Sequence, residues 1–452
     1  MGGRRPKAPQ SAGAGRLRRG RHRSEGGPAS RGIPPGAPRR LQFVCPRGGT
    51  VLGDRLARRL LLVDALWATA AALGATFADA YLWRLGSGWA AISVFNLWQF
   101  VAMALAFPLA GHLAQRFDRV LPLRLAAAVV AAAFATLLWL GPAAPRFIAL
   151  LGVLLGAGWG LYWLAFFVLG FDLTDRGNRD WFTGSAGVLE AAAALAVPPL
   201  AGALAVRPGG FRLLFAGALA VFAVVLVVSI RLSAPARRVV ADQVAISPSG
   251  HSSAPGWWGV VAADAALGLR DGVYLFAPAL LVFTASGNPM ELGAFVAACQ
   301  AASLVANALA ARFGRPRLRR RLAVAGAVLG LVAAALLIAP VGIDGLWAFG
   351  LLAAAAQPLL KVPLEACTLD VIARGADPAR WRVPRTVVKE VAVNFARACS
   401  VGLLAVAVAR AGVPAVRVCL MLAAWAPLGA WYGLARWVPV EQGDGFGGPE
   451  SR

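Results

Sequence analysis

Histidine is nearly absent from this chain: His22, His112 and His251 are the three in 452 residues, and no two are close in sequence. The five cysteines, Cys45, Cys299, Cys367, Cys399 and Cys419, form no Cys-x-x-Cys pair, and four fall in apolar runs, where they read as small fillers. A metal centre needs several such ligands, so neither a metal site nor a cofactor is expected. No G-x-x-x-x-G-K-[ST] occurs, so the chain encodes no ATP motor. Charge is scarce at 15% of residues, well under the usual quarter. The ten-residue alternating segments of a membrane barrel are missing too.

Hydrophobicity fills the space, at 59% of residues and a mean hydropathy of +0.66. Apolar runs of 18 residues or more recur from about residue 60 to 436, each long enough to cross a bilayer as a helix. The expected fold is an all-α polytopic membrane protein with twelve spans, roughly 60–83, 90–110, 122–141, 147–171, 182–206, 211–232, 259–283, 290–311, 322–341, 346–369, 386–410 and 413–436. The Ser/Pro/Ala-rich stretch between the sixth and seventh separates two bundles of six. The expected units are a tail at 1–55, a bundle at 56–232, a linker at 233–258, a bundle at 259–437 and a tail at 438–452.

The net charge of +24 is unevenly placed. Residues 1–59 carry fifteen Lys and Arg against Glu25 and Asp54. This Gly-, Pro-, Ala- and Arg-rich segment has no periodic apolar pattern, so disorder is expected. It also lacks the apolar core and cleavage site of a secretory signal. The run PRGGTVLGD fits a ribosome-binding sequence followed by a start at Val51, which would leave the tail out of the mature chain. A tail for anionic lipid or nucleic acid is the weaker reading, and no nucleic-acid partner is expected. With the N-terminus placed in the cytoplasm, inner loops hold eighteen arginines and outer loops six. Both termini are therefore expected inside, in a multi-pass protein of the cell membrane.

One polar hinge occurs twice. GHLAQRFDRVLPLR (111–124) joins spans two and three, and NALAARFGRPRLRRR (307–321) joins spans eight and nine, equivalent places in the two halves. The first copy resembles the major facilitator superfamily signature G-x-L-A-D-R-x-G-R-[RK]-x-x-L through Gly111, Leu113, Ala114, Arg116, Arg119 and Leu123. It departs at Gln115 and Asp118. The second copy keeps Leu309, Ala310, Arg312, Gly314 and Arg315, with Asn307 and Ala311 as departures. The resemblance extends from about residue 55 onward through span count, linker and orientation. It implies a transporter rather than an enzyme, with the hinge residues serving as cytoplasmic gating loops.

The resemblance also implies that the first, fourth, seventh and tenth spans line a central cavity and that every third span faces lipid. Interior charge should then avoid spans three, six, nine and twelve, because a lipid-facing ion costs roughly 2.5–3.5 kcal/mol. It does avoid them. Glu190, Asp271 and Glu365 are the proton-coupling candidates, with Arg270, Lys361 and Arg397 as counter-charges. Glu190, the lone carboxylate of its span, suits a carrier that is protonated in one access state. Arg270 is expected to reach a carboxylate on another helix, while Lys361 and Glu365, four apart, could pair.

The substrate-cavity candidates are Asp79, Trp159, Tyr162, Trp163, Asp264, Gln357 and Asn394. Aromatic rings there would suit apolar or cationic organic molecules. Lys389 and Glu390 read as interfacial. Gly152, Gly156 and Gly160, spaced four apart, make a flat ridge for helix packing. Two family features are blurred: Gly152 stands where proton-coupled members often have Arg, and Pro198–Gly202 keeps part of an antiporter bend. The expected function is proton-coupled efflux of a small amphipathic molecule by a monomer in the lipid bilayer. A uniporter or symporter, or a non-transporting sensor or partner, remains the alternative.

Overall fold

The computed structural model describes residues 51–174, 178–232, 256–313, 318–339, 342–374 and 378–429, and all their side chains except those of 51–54, 179–180, 372–374 and 378–382. Residues 1–50, nearly all of the linker, the C-terminal tail, Gly314 and Arg315 lie outside the described residues.

Where apolar side chains run on without a polar face and lipid offers no partner for N–H or C=O, the backbone must satisfy itself, which leaves the helix. The helices are α1 Val51–Arg84, α2 Trp89–Arg116, α3 Leu121–Leu140, α4 Ile148–Leu173, α5 Arg179–Ala205 and α6 Gly210–Ile230. After the linker come α7 Trp257–Tyr274, α8 Ala277–Ser286, α9 Pro289–Phe313, α10 Arg319–Ala335, α11 Ile343–Arg374, α12 Pro378–Ala411 and α13 Pro414–Ala423. A 3₁₀ turn, Gly141–Phe147, links α3 to α4. Among the described residues, nine helical stretches are long and apolar enough to cross a membrane, one of them (Leu121–Leu173) containing both α3 and α4. α10, at 17 residues, falls just short of that length.

The seventh expected span, 259–283, is broken. α7 ends at Tyr274 and α8 restarts at Ala277. Pro278 explains the break, since its ring nitrogen cannot donate to the carbonyl four residues back. Gly287 then closes α8 in the left-handed conformation, φ 64°, with its N–H donating to Phe283 O at 2.8 Å.

Lipid tails are as apolar as leucine, so helices in a bilayer associate through close packing rather than expulsion from water. Small residues therefore mark the tight seams. Gly152, Gly156 and Gly160 of α4 lie against the backbone of Phe95, Gln99 and Met103 of α2, and a Cβ on Gly156 would stand 2.0 Å from Gln99 O. In the second half, Gly268 and Gly272 of α7 seat against Val393 and Arg397 of α12 in the same manner. The outer faces of α6 and α10 carry exposed valine, leucine and isoleucine and no charge in their middles, as lipid-facing helices require.

The halves meet along two seams, α2 with α12 and α5 with α9. Because α2 and α9 hold equivalent places in the two halves, as do α5 and α12, this is one seam used twice. The α5–α9 seam is shut at the end away from the hinges. There Gly202 rests on Pro289 and Met290, while Gly293 rests on Pro198 and Pro199, with added Cβ atoms 2.5 and 2.2 Å from carbonyl oxygens. Towards the hinge end, Gly184 and Gly187 of α5 face open space.

Candidate functional site: a cavity between the halves

With the α5–α9 seam shut at one end and parted at the other, the halves enclose a cavity of about 1330 Å³. That is somewhat larger than a drug-sized ligand site of roughly 300–1,000 Å³, so a small organic molecule fits with water to spare.

Among the described residues, the wall supplied by α1–α6 carries Asp64, Asp79 and Glu190 and no Lys or Arg. Asp64 is 1% exposed and accepts a hydrogen bond from Tyr162 Oη. The Asp64 and Glu190 carboxyls stand within hydrogen-bonding reach of each other. Tyr162 is held by ring packing, with Trp67 stacked on it at 3.8 Å between centroids and Phe166 on its other side at 5.9 Å. Trp159 and Trp163, one before and one after it on α4, stand edge-on to it and are part-exposed to the cavity. Nearer the closed end, Asp79 accepts from Asn96 Nδ2 at 3.0 Å.

The wall supplied by α7–α13 is charge-paired. Asp264, Asp271, Glu365 and Glu390 meet Arg270, Lys361, Lys389 and Arg397. Arg270, 2% exposed, donates to Asp271 Oδ1 at 3.2 Å and to Ala353 O at 3.1 Å, and lies over the Tyr274 ring at 4.3 Å. Arg397 approaches the other Asp271 oxygen at 3.8 Å. Lys361 and Glu365 pair at 3.7 Å, both half-exposed. Lys389 and Glu390 pair at 3.1 Å, and Asp264 accepts from Thr368 at 3.4 Å.

At the hinge end each half closes a clasp. Arg119, in the turn before α3, pairs with Asp172 near the end of α4; Arg319, at the start of α10, pairs with Asp370 of α11 at 2.5 Å. Arg124 pairs with Asp118 at 3.3 Å and donates to the Ser229 and Leu232 carbonyls at the end of α6, where the helix dipole favours a cation. Gln115 turns back to the Gly111 carbonyl at 2.7 Å. A Cβ on Gly111 would touch Val387 of α12 at 3.8 Å, so the first hinge lies on the seam between halves. Arg116 lies near the Phe117 ring, and Arg312 is exposed.

Of the residues picked out from sequence, Glu190, Asp271, Glu365, Arg270, Lys361, Arg397, Asp79, Trp159, Tyr162, Trp163, Asp264 and Gln357 all line this one cavity. Asn394 does not. It is fully buried behind the wall, donating to Glu390 O at 2.8 Å and accepting from Arg397 at 3.1 Å. Three pairings differ from expectation. Glu190 is not isolated but faces Asp64; Arg270 pairs with its chain neighbour rather than another helix's carboxylate; Lys389 and Glu390 line the cavity rather than the interface. Asp64, Asp172, Arg319 and Asp370 escaped notice as site residues. For the last three, the hinge repeat was a signal: an arginine within each copy called for an acid at the end of the second span after it.

A family model, Major Facilitator Superfamily, matches residues 87–376. The chain is 31% identical over 348 residues to the uncharacterized protein YqgE of Bacillus subtilis strain 168, covering 76% of this chain and 80% of that protein. Among solved structures it is similar in fold to a D-xylose-proton symporter (TM-score 0.64, 17% identity, 87% of this chain and 99% of that one). It is also similar to a bacterial homologue of the iron transporter ferroportin in its inward-facing state (TM-score 0.62, 15% identity, 86% and 99%). With the duplicated hinge, the paired seams and a cavity between two halves, these matches agree: the chain is a multi-pass membrane transporter belonging to the Major Facilitator Superfamily.

Proposed function

We propose that the protein is a secondary transporter that works by alternating access and exports a small amphipathic molecule in exchange for protons. In this reading it crosses the cell membrane twelve times as a monomer, with both termini and the hinge end in the cytoplasm. The observation that carries it is the cavity: closed at one end by the α5–α9 glycine contacts, parted at the other, and lined midway by carboxyl groups. Glu190 is the principal proton carrier. Among the described residues no cation stands within ion-pair distance of it, whereas both Asp271 oxygens are approached by guanidinium groups. Glu365 and Asp271 relay, and Arg270, Lys361 and Arg397 balance their charge. The clasps Arg119–Asp172 and Arg319–Asp370 hold the hinge end of each half as a rigid unit while the halves rock. The remaining lining residues, Asp79, Trp159, Tyr162, Trp163, Asp264 and Gln357, bound the substrate space.

Liposomes containing the purified protein and a trapped pH dye test this. Hydrophobic cations, sugars and amino acids are offered in turn, and Glu190→Gln and Asp271→Asn are run beside the parent. Substrate-dependent proton movement that is lost in Glu190→Gln is the expected result. Substrate flux with no pH change in the parent would replace exchange by facilitated diffusion.

A further inference from the structure

The two hinge copies end differently. Aligned on Leu113-Ala114-x-Arg116-Phe117 and Leu309-Ala310-x-Arg312-Phe313, Asp118 and Arg124 of the first copy correspond to Gly314 and Arg320 of the second, and Leu125 corresponds to Arg321. In the first half Arg124 is engaged: Asp118 accepts from it at 3.3 Å, and the Ser229 and Leu232 carbonyls accept at 3.3 and 2.9 Å. The second copy lacks that acid and carries an additional cation. Arg319 pairs with Asp370, but Arg320 and Arg321 are exposed and, among the described residues, have no acid within ion-pair distance and no hydrogen-bond partner. Both sit in the first turn of α10, where no acid offsets the positive end of the helix dipole.

The same two arginines close one end of a groove of about 720 Å³ on the outer face of α10. Beyond them the groove is apolar: Val324, Val328 and Val332, each about half-exposed, follow at intervals of one turn. The equivalent places on α3 hold Ala128, Ala132 and Thr136, whose short side chains build no such ridge. From Arg321 to Val332 is about 16 Å along the helix, at 1.5 Å per residue. That is about one leaflet, half of a hydrocarbon core of about 30 Å. A soluble anion would use the arginines and leave the valines bare, and a sugar or peptide would find no polar group along them. A molecule with an anionic head and a chain one leaflet long matches both ends.

We propose that this groove holds an anionic phospholipid of the leaflet at the hinge end, its phosphate between the Arg320 and Arg321 guanidinium groups and one acyl chain along Val324, Val328 and Val332. Guanidinium forks suit phosphate oxygens. The lipid supplies at the second hinge the negative charge that Asp118 supplies at the first. The site lies on the lipid side of α10, outside the cavity, so it stands whatever the cavity carries.

The test is native mass spectrometry of the full-length protein in detergent, titrated with phosphatidylglycerol, with phosphatidylcholine of the same chains, and with glycerol 3-phosphate. The first phosphatidylglycerol should bind about ten- to thirtyfold more tightly than phosphatidylcholine, the increment that two arginines near the surface give an anionic headgroup. Glycerol 3-phosphate at the same concentration should not displace it. Arg320→Gln combined with Arg321→Gln should cut the preference to less than about threefold. The matched pair Arg55→Gln and Arg58→Gln, which removes equal charge from exposed positions near the start of α1, should leave it intact. Val328→Trp, which fills the groove without touching a charge, should weaken phosphatidylglycerol binding several-fold. If the double site variant does not fold, Arg321→Gln alone and Val328→Trp take its place. Equal binding of the two lipids, an unchanged preference in the site variants, or an equal loss in the Arg55 and Arg58 variant, which would mean diffuse attraction, each overturns the site. Displacement by glycerol 3-phosphate would make it a site for free phosphate and overturns it too.

Discussion

The two walls of the cavity are built from equivalent helices yet solve opposite electrostatic problems. Among the described residues, the α7–α13 wall sets four carboxyls against four bases; the α1–α6 wall has three carboxyls and no base. A paired wall is held in place by its charges, because removing one member strands another. An unpaired acidic wall has, among the described residues, no base of its own to hold its carboxyls. The two halves share one frame, and their charges differ: one wall is braced by its own ion pairs and the other is not.

The largest effect should therefore come from Arg270→Met. It leaves Asp271 buried with only the more distant Arg397, at a cost of about 3–5 kcal/mol. Loss of monodisperse protein, or a steep fall in melting temperature in detergent, is the expected reading. The contrasting change, Asp64→Asn, supplies a donor where one is missing and should leave the melting temperature level or higher. Equal losses from both would erase the distinction between the walls.

Tight packing, unlike charge, occurs in both halves. Gly156→Ala in α4 and Gly272→Ala in α7 each push a methyl group into a backbone carbonyl, at 2.0 and 2.5 Å, and should each cost about 1–3 kcal/mol. Gly187→Ala, facing open space, should cost nothing measurable and serves as the control.

The clasps give a smaller difference. Arg119 and Asp172 are 16% and 14% exposed, against 23% and 48% for Arg319 and Asp370. Arg119→Ala should therefore destabilise more than Arg319→Ala, with the latter costing no more than about 1 kcal/mol and losing its effect in high salt. Smallest of all is Lys361→Met: its half-exposed pair with Glu365 is worth about 0–1 kcal/mol, and thermal melting should barely register the change.

Much of this was legible in the sequence, for identifiable reasons. Charge missing from every third span is a requirement of lipid and shows without a structure. Gly152, Gly156 and Gly160 advertised their seam because small residues four apart have few other uses in a membrane helix. Asp64 escaped because the first span was expected to start at residue 60, placing an acid at its edge; α1 starts at Val51, which puts Asp64 well inside. The Arg270–Asp271 pair was hidden because neighbours in sequence diverge by about 100° around a helix and are not expected to meet. The reach of the guanidinium overcomes that divergence, and the Ala353 carbonyl on α11 fixes its far side. Which carboxyl faces which across separate helices is decided by rotation about each helix axis, and no spacing along one span encodes that.

The closed end of the α5–α9 seam has a mechanical consequence. Where Gly202 and Gly293 cross the Pro198–Pro199 and Pro289–Met290 segments, the atoms nearest each glycine are main chain. A seam of long side chains must refit rotamers at every change of tilt, at up to about 1.5–2 kcal/mol of entropy for each flexible chain. At these two crossings there is almost none to refit. If the halves alternate as proposed, this seam is the one that must part to open the cavity on its other side, and at its glycine crossings that separation disturbs few side-chain rotamers.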